Sequence, residues 1–178
     1  TANDNLTVTG STFTNCSANY PGGALKSGGA VTITGSGFTN CSAGGGYDGG
    51  AVYAHNNLDV TGSSFTNCSA TDDGGAIHSA SGTVTVASST FVDCSASHHG
   101  GAVSGPSGAT ITGSTFTDCS GGYGGDVSAG GATVKTSTFT NCYATLDGGA
   151  VWASSAAVDT STFANCSATS TSVANGNG

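Results

Sequence analysis

The sequence predicts an all-β solenoid, a parallel β-helix of about seven coils, on three observations. Phe-x-(Asn/Asp)-Cys recurs seven times and accounts for every phenylalanine and cysteine of the chain. The cysteines Cys16, Cys41, Cys68, Cys94, Cys119, Cys142 and Cys166 stand 25, 27, 26, 25, 23 and 24 residues apart. At such a period each repeat forms one coil and like residues stack. Composition agrees: there is no Glu, Arg or Met, while Thr, Ser, Val and 31 glycines favour strands and tight turns over helices. Residues 1–178 therefore read as a single repeat domain of coils 23–27 residues long, or as one stretch of a longer rod.

The elements of a coil follow from aligning the repeats on Phe13, Phe38, Phe65, Phe91, Phe116, Phe139 and Phe163. Seven and five residues earlier lie the pairs Leu6/Val8, Val31/Ile33, Leu58/Val60, Val84/Val86, Ala109/Ile111, Ala132/Val134 and Ala156/Val158, mostly flanked by Thr. Such period-2 alternation makes a strand with one buried face. Two residues before each Phe stands a Ser, whose hydroxyl can bond nearby backbone at a corner. The rings should stack inside the rod as core. After each Cys, usually following Ser-Ala and a loop, comes Gly-Gly-Ala-(Val/Ile/Leu) or a close variant, in which the glycines make a sharp corner and the apolar residue starts another strand. Three short strands and three corners per coil result, and with strands ~4.8 Å apart seven coils make a rod roughly 30–35 Å long. The last coil lacks Gly-Gly-Ala, so Ser172-Val173-Ala174 is the expected third strand. Bare ends imply either a segment of a longer rod or ends that stack on neighbours.

Charge excludes several classes of partner. With a net charge of -8 and only Lys26 and Lys135 as fixed cations, the chain cannot neutralise a nucleic-acid backbone or hold an anionic membrane surface. No apolar run approaches the ~20 residues of a membrane span, so no membrane insertion is expected. The absence of a charged-then-apolar leader suggests a mature product or an excised segment. Low charge, abundant Ser and Thr, and one cysteine per repeat predict a secreted or cell-surface location.

Gly-Gly-Ala-(Ile/Val/Leu) paired with Phe-x-x-Asn resembles the repeats of chlamydial polymorphic outer-membrane proteins, and similar repeats occur in bacterial and protist surface proteins. Here Cys stands three residues after Phe and Asn or Asp one residue earlier. The resemblance extends along essentially the whole chain. It implies a right-handed parallel β-helix with a surface role, typically as an adhesin or autotransporter passenger, though no C-terminal membrane barrel is present in this sequence.

Several columns carry candidate chemistry. Asn15, Asn40, Asn67, Asp93, Asp118, Asn141 and Asn165 form one column, read as an internal ladder of coil-to-coil hydrogen bonds. Adjacent Asp93 and Asp118 would repel unless one is protonated or their turn opens to water. The rival reading is glycosylation, because Asn15, Asn40, Asn67 and Asn165 begin Asn-Cys-Ser and Asn5 begins Asn-Leu-Thr. A buried ladder and a glycan exclude each other at one residue; the ladder is preferred for the column and the glycan for Asn5. The cysteines lack Cys-x-x-Cys spacing, which argues against a zinc site. An inward column is expected, with Cα atoms ~5 Å apart, within reach of disulfides, but an odd number leaves one thiol over.

The residues after the Gly-Gly-Ala-Val strand start, Lys26, Tyr53, His78, Ser104, Ser128 and Trp152, are read as an outward column, of which Tyr53, His78 and Trp152 form a candidate ligand face for sugar rings. Loops before the glycines bring Asp48, Asp72, Asp73, His98 and His99 onto successive coils. Asp48, Asp73 and His99 are the candidate ligands for a divalent cation, although a solvated polar loop is the simpler account. No other cofactor is expected. Outward Thr pairs such as Thr7/Thr9, Thr32/Thr34 and Thr110/Thr112 are similar to the arrays of ice-binding solenoids, but Asp59, Ala87, Lys135, Ala157 and Asp159 interrupt them. Parallel β-helices also host pectin-active lyases and hydrolases. Lyases need a cationic side chain beside bound calcium and hydrolases a spaced carboxylate pair, and neither is evident. The expectation is a non-enzymatic extracellular rod, a stalk or fibre subunit stacking end to end and glycosylated. An adhesin or carbohydrate-binding β-helix is the alternative, with a polysaccharide-active enzyme or an ice-binding protein behind it.

Overall fold

In the computed structural model, which describes residues 2–169, each complete coil runs through four short strands rather than the three expected. In the second coil they are Val31–Thr34, Gly37–Thr39, Ser42–Ala43 and Val52–Ala54. Each pairs in parallel with its equivalents in the coils before and after, building three seven-stranded sheets and a fourth of six. The additional strand follows each cysteine: in five coils it is a two-residue Ser-Ala pair, too short for its alternation to register in the sequence, and after Cys119 and Cys142 it lengthens to Ser120–Tyr123 and Tyr143–Asp147. Ser172-Val173-Ala174 lies outside the described residues.

Register is one-to-one along the first two sheets. Leu6 pairs with Val31, Val31 with Leu58 and Leu58 with Val84, and the phenylalanines pair with one another throughout. Their rings stack with centroids 4.7–4.8 Å apart and planes within 6° of parallel. Valines, isoleucines, the inward cysteines and the Gly-Gly-Ala alanines complete the core around this stack.

Two left-handed corners frame every phenylalanine strand. The first, three residues before Phe, is Gly10, Gly35, Gly62, Ser88, Gly113, Thr136 or Thr160, at φ between 47° and 57°. The second is the Asn/Asp column, at φ between 51° and 56°. Asn and Asp tolerate this region far better than other side-chain-bearing residues, which explains the column before any hydrogen bond is considered. Thr136 and Thr160 are β-branched and hold it under strain. Beside the first corner runs a serine ladder that the sequence anticipated only as a turn. The Ser36 N–H donates to Ser63 Oγ at 3.1 Å, and the Ser36 hydroxyl donates to the Thr34 carbonyl at 3.0 Å. The arrangement repeats from Ser11 through Ser89 to Ser161 and satisfies polar groups buried at the bend.

Inner rings are fully enclosed, whereas Phe163 in the last coil is 42% exposed. Phe91→Ala should lower unfolding free energy by about 3–5 kcal/mol and Phe163→Ala by less than half of that, as read from urea denaturation. Equal losses at the two positions would show that the stack is not what holds the coils.

Candidate functional site

The Gly-Gly corner brings two columns of side chains against each other on one flank of the rod. Gly74, at φ 63°, turns so tightly that a Cβ there would collide with the Ile77 carbonyl and stand 3.0 Å from His78 Cβ. The residue before the glycines is thereby folded onto the fourth sheet. In that sheet Lys26, Tyr53, His78, Ser104, Ser128 and Trp152 are in register on successive coils. Facing them from the loops come Asp48, Asp73, His99 and Tyr123.

This flank is not the open platform expected. His78, Ser104 and Ser128 are buried, and Tyr53 and Trp152 are half-covered. Tyr53 stacks on His78 with centroids 5.6 Å apart, and Lys26 Nζ lies 5.7 Å from the Tyr53 centroid. The three proposed ligand-face residues are also separated: Tyr53 and His78 are neighbours, but Ser104 and Ser128 stand between them and Trp152. What Trp152 lines instead is a cleft of about 300 Å³, with Asp73, His99, Ser104, Ser128, Ser154 and Pro106. His99 stacks on Tyr123 at 5.0 Å and tilts against Trp152 at 5.7 Å, and its Nδ1 lies 3.3 Å from Ser128 Oγ.

The loop carboxylates are organised by backbone. Asp48 Oδ1 accepts the Asp73 N–H at 3.2 Å, and Asp73 Oδ1 accepts the His99 N–H at 3.0 Å. Of the three residues expected to bind a cation, the structure joins Asp48 and Asp73, but it replaces His99 with His78: one ligand atom from each of Asp48, Asp73 and His78 lies within 4.8 Å of the others. Sequence spacing missed His78 as a partner of the carboxylates because it follows Asp73 across the Gly74-Gly75 corner, and only that tight turn brings it back beside the loop. Burial holds the His78 imidazole below its ordinary pKa and the Asp73 carboxyl above its own. At the solvent edge Asp72 and His98 pair directly, which raises the His98 pKa.

The other predicted columns are placed as follows. The Asn/Asp column is exposed on an outer corner, not internal. Its ladder is present there: Asn40 donates to Asn15 at 3.0 Å, Asn67 to Asn40 at 2.9 Å, Asn141 to Asp118 at 2.9 Å and Asn165 to Asn141 at 3.2 Å. It breaks at Asp93, whose side chain has no N–H to offer, and the turn opens both adjacent carboxylates to water. Asn5 is also exposed, with its Oδ1 accepting the Ala30 N–H. The cysteines form the inward column as free thiols, five of them buried and Cys16 and Cys166 partly covered. The paired Thr residues project outward from the first sheet.

A family model described as a right-handed β-helix region matches residues 1–168, and the chain belongs to that family. No curated protein and no solved structure matches it. The fold is compatible with a surface or structural protein, and the family includes both polysaccharide-active enzymes and non-enzymes.

One buried group was not anticipated. Asp126 takes the place held by Ala in the other five Gly-Gly-Ala corners, and it is fully enclosed with neither carboxylate oxygen hydrogen-bonded. Burial raises its pKa to about 7, offset only in part by the neighbouring Cys142 and Cys119 thiols. The folded chain therefore keeps a proton that the unfolded chain releases near pH 4, so stability falls as pH rises from about 4 to about 7 and is level above. Asp126→Ala should remove that slope and raise unfolding free energy at pH 8 by about 4 kcal/mol, measured by urea denaturation across pH.

Proposed function

We propose that the chain is a non-enzymatic extracellular structural rod, a stalk or fibre element of a cell surface. The observation that carries this reading is the unbroken repetition of its inner columns: seven stacked phenylalanines and seven inward cysteines, with no interruption of the stack anywhere along its length. Such uniformity serves length and stiffness. The resemblance to surface-protein repeats and the acceptor pattern at exposed Asn5 support a glycosylated surface location. At the last described coil Val158 and Phe163 are 51% and 42% exposed on positions that the next coil covers elsewhere. End-to-end stacking would bury them.

The geometry of one Ser/His/Asp grouping agrees with the non-enzymatic reading. Ser128, His99 and Asp73 lie together, but Asp73 Oδ1 accepts the His99 backbone N–H and does not orient the ring that Ser128 approaches. A nucleophile–base pair needs that third group on the imidazole.

Carbohydrate binding is the second reading, favoured by the cleft. A half-covered indole beside a row of serine hydroxyls offers an apolar wall and short polar contacts, the combination that suits a neutral saccharide.

Electron microscopy of the purified protein should show uniform filaments or end-to-end oligomers, and monodisperse short rods at high concentration would overturn stacking. Trp152 is the chain's single tryptophan, so its emission reports on the cleft directly. On the carbohydrate reading, neutral oligosaccharides should shift that emission at millimolar concentration, and Ser128→Ala should weaken the response several-fold.

A further inference from the structure

We propose that Asp48, Asp73 and His78 form a binding site for one divalent transition-metal ion of the zinc or cobalt type. The proposal is independent of the rod's assembly. A cluster of carboxylates alone would not carry it; the imidazole does. His78 is only 5% exposed, its buried Nδ1 has no hydrogen-bond partner, and its Nε2 faces Asp48. Nε2 lies 3.8 Å from Asp48 Oδ2, too far for a hydrogen bond. With metal–ligand bonds of ~2.1 Å, two ligands of one ion stand about 3–4 Å apart, so this separation is one that a shared ion would set.

The carboxylates are already aimed. Each is tethered through Oδ1 to a backbone N–H of the following coil, Asp48 to Asp73 and Asp73 to His99. That tether fixes the side-chain rotamer and leaves the second oxygen for another partner, the role outer hydrogen bonds play around metal ligands. The set spans 4.8 Å at most, and a small rotation would close it around an ion. Charge points the same way. The chain has no arginine, Lys26 lies over Tyr53, and the ion pairs among the described residues are His78–Asp48 and His98–Asp72. Half-buried Asp73 therefore lacks a fixed cation, and a dication beside a neutral imidazole and two carboxylates balances the site.

Donor chemistry selects the ion. One nitrogen and two carboxylate oxygens, with water completing the shell, suit zinc or cobalt. Calcium needs six to eight oxygens, which three side chains and one tight corner do not supply. Asp72 and His98 also approach Asp73, but their imidazole is exposed and already bonded to Asp72, so they form no comparable site.

The test is a titration of chelator-stripped, thiol-reduced protein with Co2+, followed by visible absorption and calorimetry. One equivalent should bind, and Zn2+ should displace it while millimolar Ca2+ does not. His78→Gln should abolish binding, and Asp73→Asn or partly exposed Asp48→Asn should weaken it at least tenfold. His98→Gln should leave it unchanged, and circular dichroism should show each variant folded. Failure of the wild type to bind Co2+ or Zn2+, equal binding by His78→Gln, or loss only on blocking the cysteines would overturn the site. Displacement by Ca2+ would overturn the assignment of the ion.

Discussion

Each coil must lie directly on the one before it, hydrogen-bonded at the strand spacing, and every other property of the chain follows from that. Under this constraint a side chain in a column touches its own copy above and below. Phenylalanine, serine, asparagine and cysteine accept such company: rings stack at 4.8 Å, Ser36 bonds Ser63, and Asn40 bonds Asn15. A charge does not, because like charges at that separation repel. The scarcity of charged residues, 7% of the chain, is thus a consequence of stacking. Where two acids stand next to each other in one column, at Asp93 and Asp118, the column is at a water-exposed corner and its hydrogen-bond ladder is interrupted.

The same constraint governs what could be read in advance. Period, parallel stacking, the apolar strand and the glycine corner were legible because each is written seven or nearly seven times, so chance matches cancel. The Ser-Ala strand was not, since two residues cannot display alternation. Nor was the placement of the asparagines: a hydrogen-bonding ladder reads alike whether it faces core or water, and what distinguishes the two is the positive φ of the corner. The flank carrying Asp48, Asp73 and His78 was half legible. The loop residues were recognised as neighbours across coils, but the imidazole that meets them sits beyond a corner whose closure depends on backbone geometry at Gly74. Burial of His78, Ser104 and Ser128 is illegible for the same reason, since nothing in a strand's alternation reveals that a loop has folded over its outer face.

Positions that break a column therefore separate into two kinds. Asp126 breaks one in the interior and is held there with no hydrogen-bond partner, a local penalty that the surrounding stack absorbs. Tyr53, His78, Ser104, Ser128 and Trp152 break one on the flank, where each coil can differ without disturbing the rings behind it. Diversity is tolerated on that side because the load of cohesion is borne elsewhere.

The bonds between coils, such as Ser42 N–H to the Cys16 carbonyl and Ser69 N–H to the Cys41 carbonyl, run along the length of the rod. Pulling on the two ends would load all the bonds of one junction together and then, when that junction gave way, pass the load to the next. Each coil peeled off would release roughly 80 Å of extended chain while the remaining coils kept their shape. A tether built this way would yield under tension in equal steps, coil by coil, and resist sideways bending with its whole cross-section.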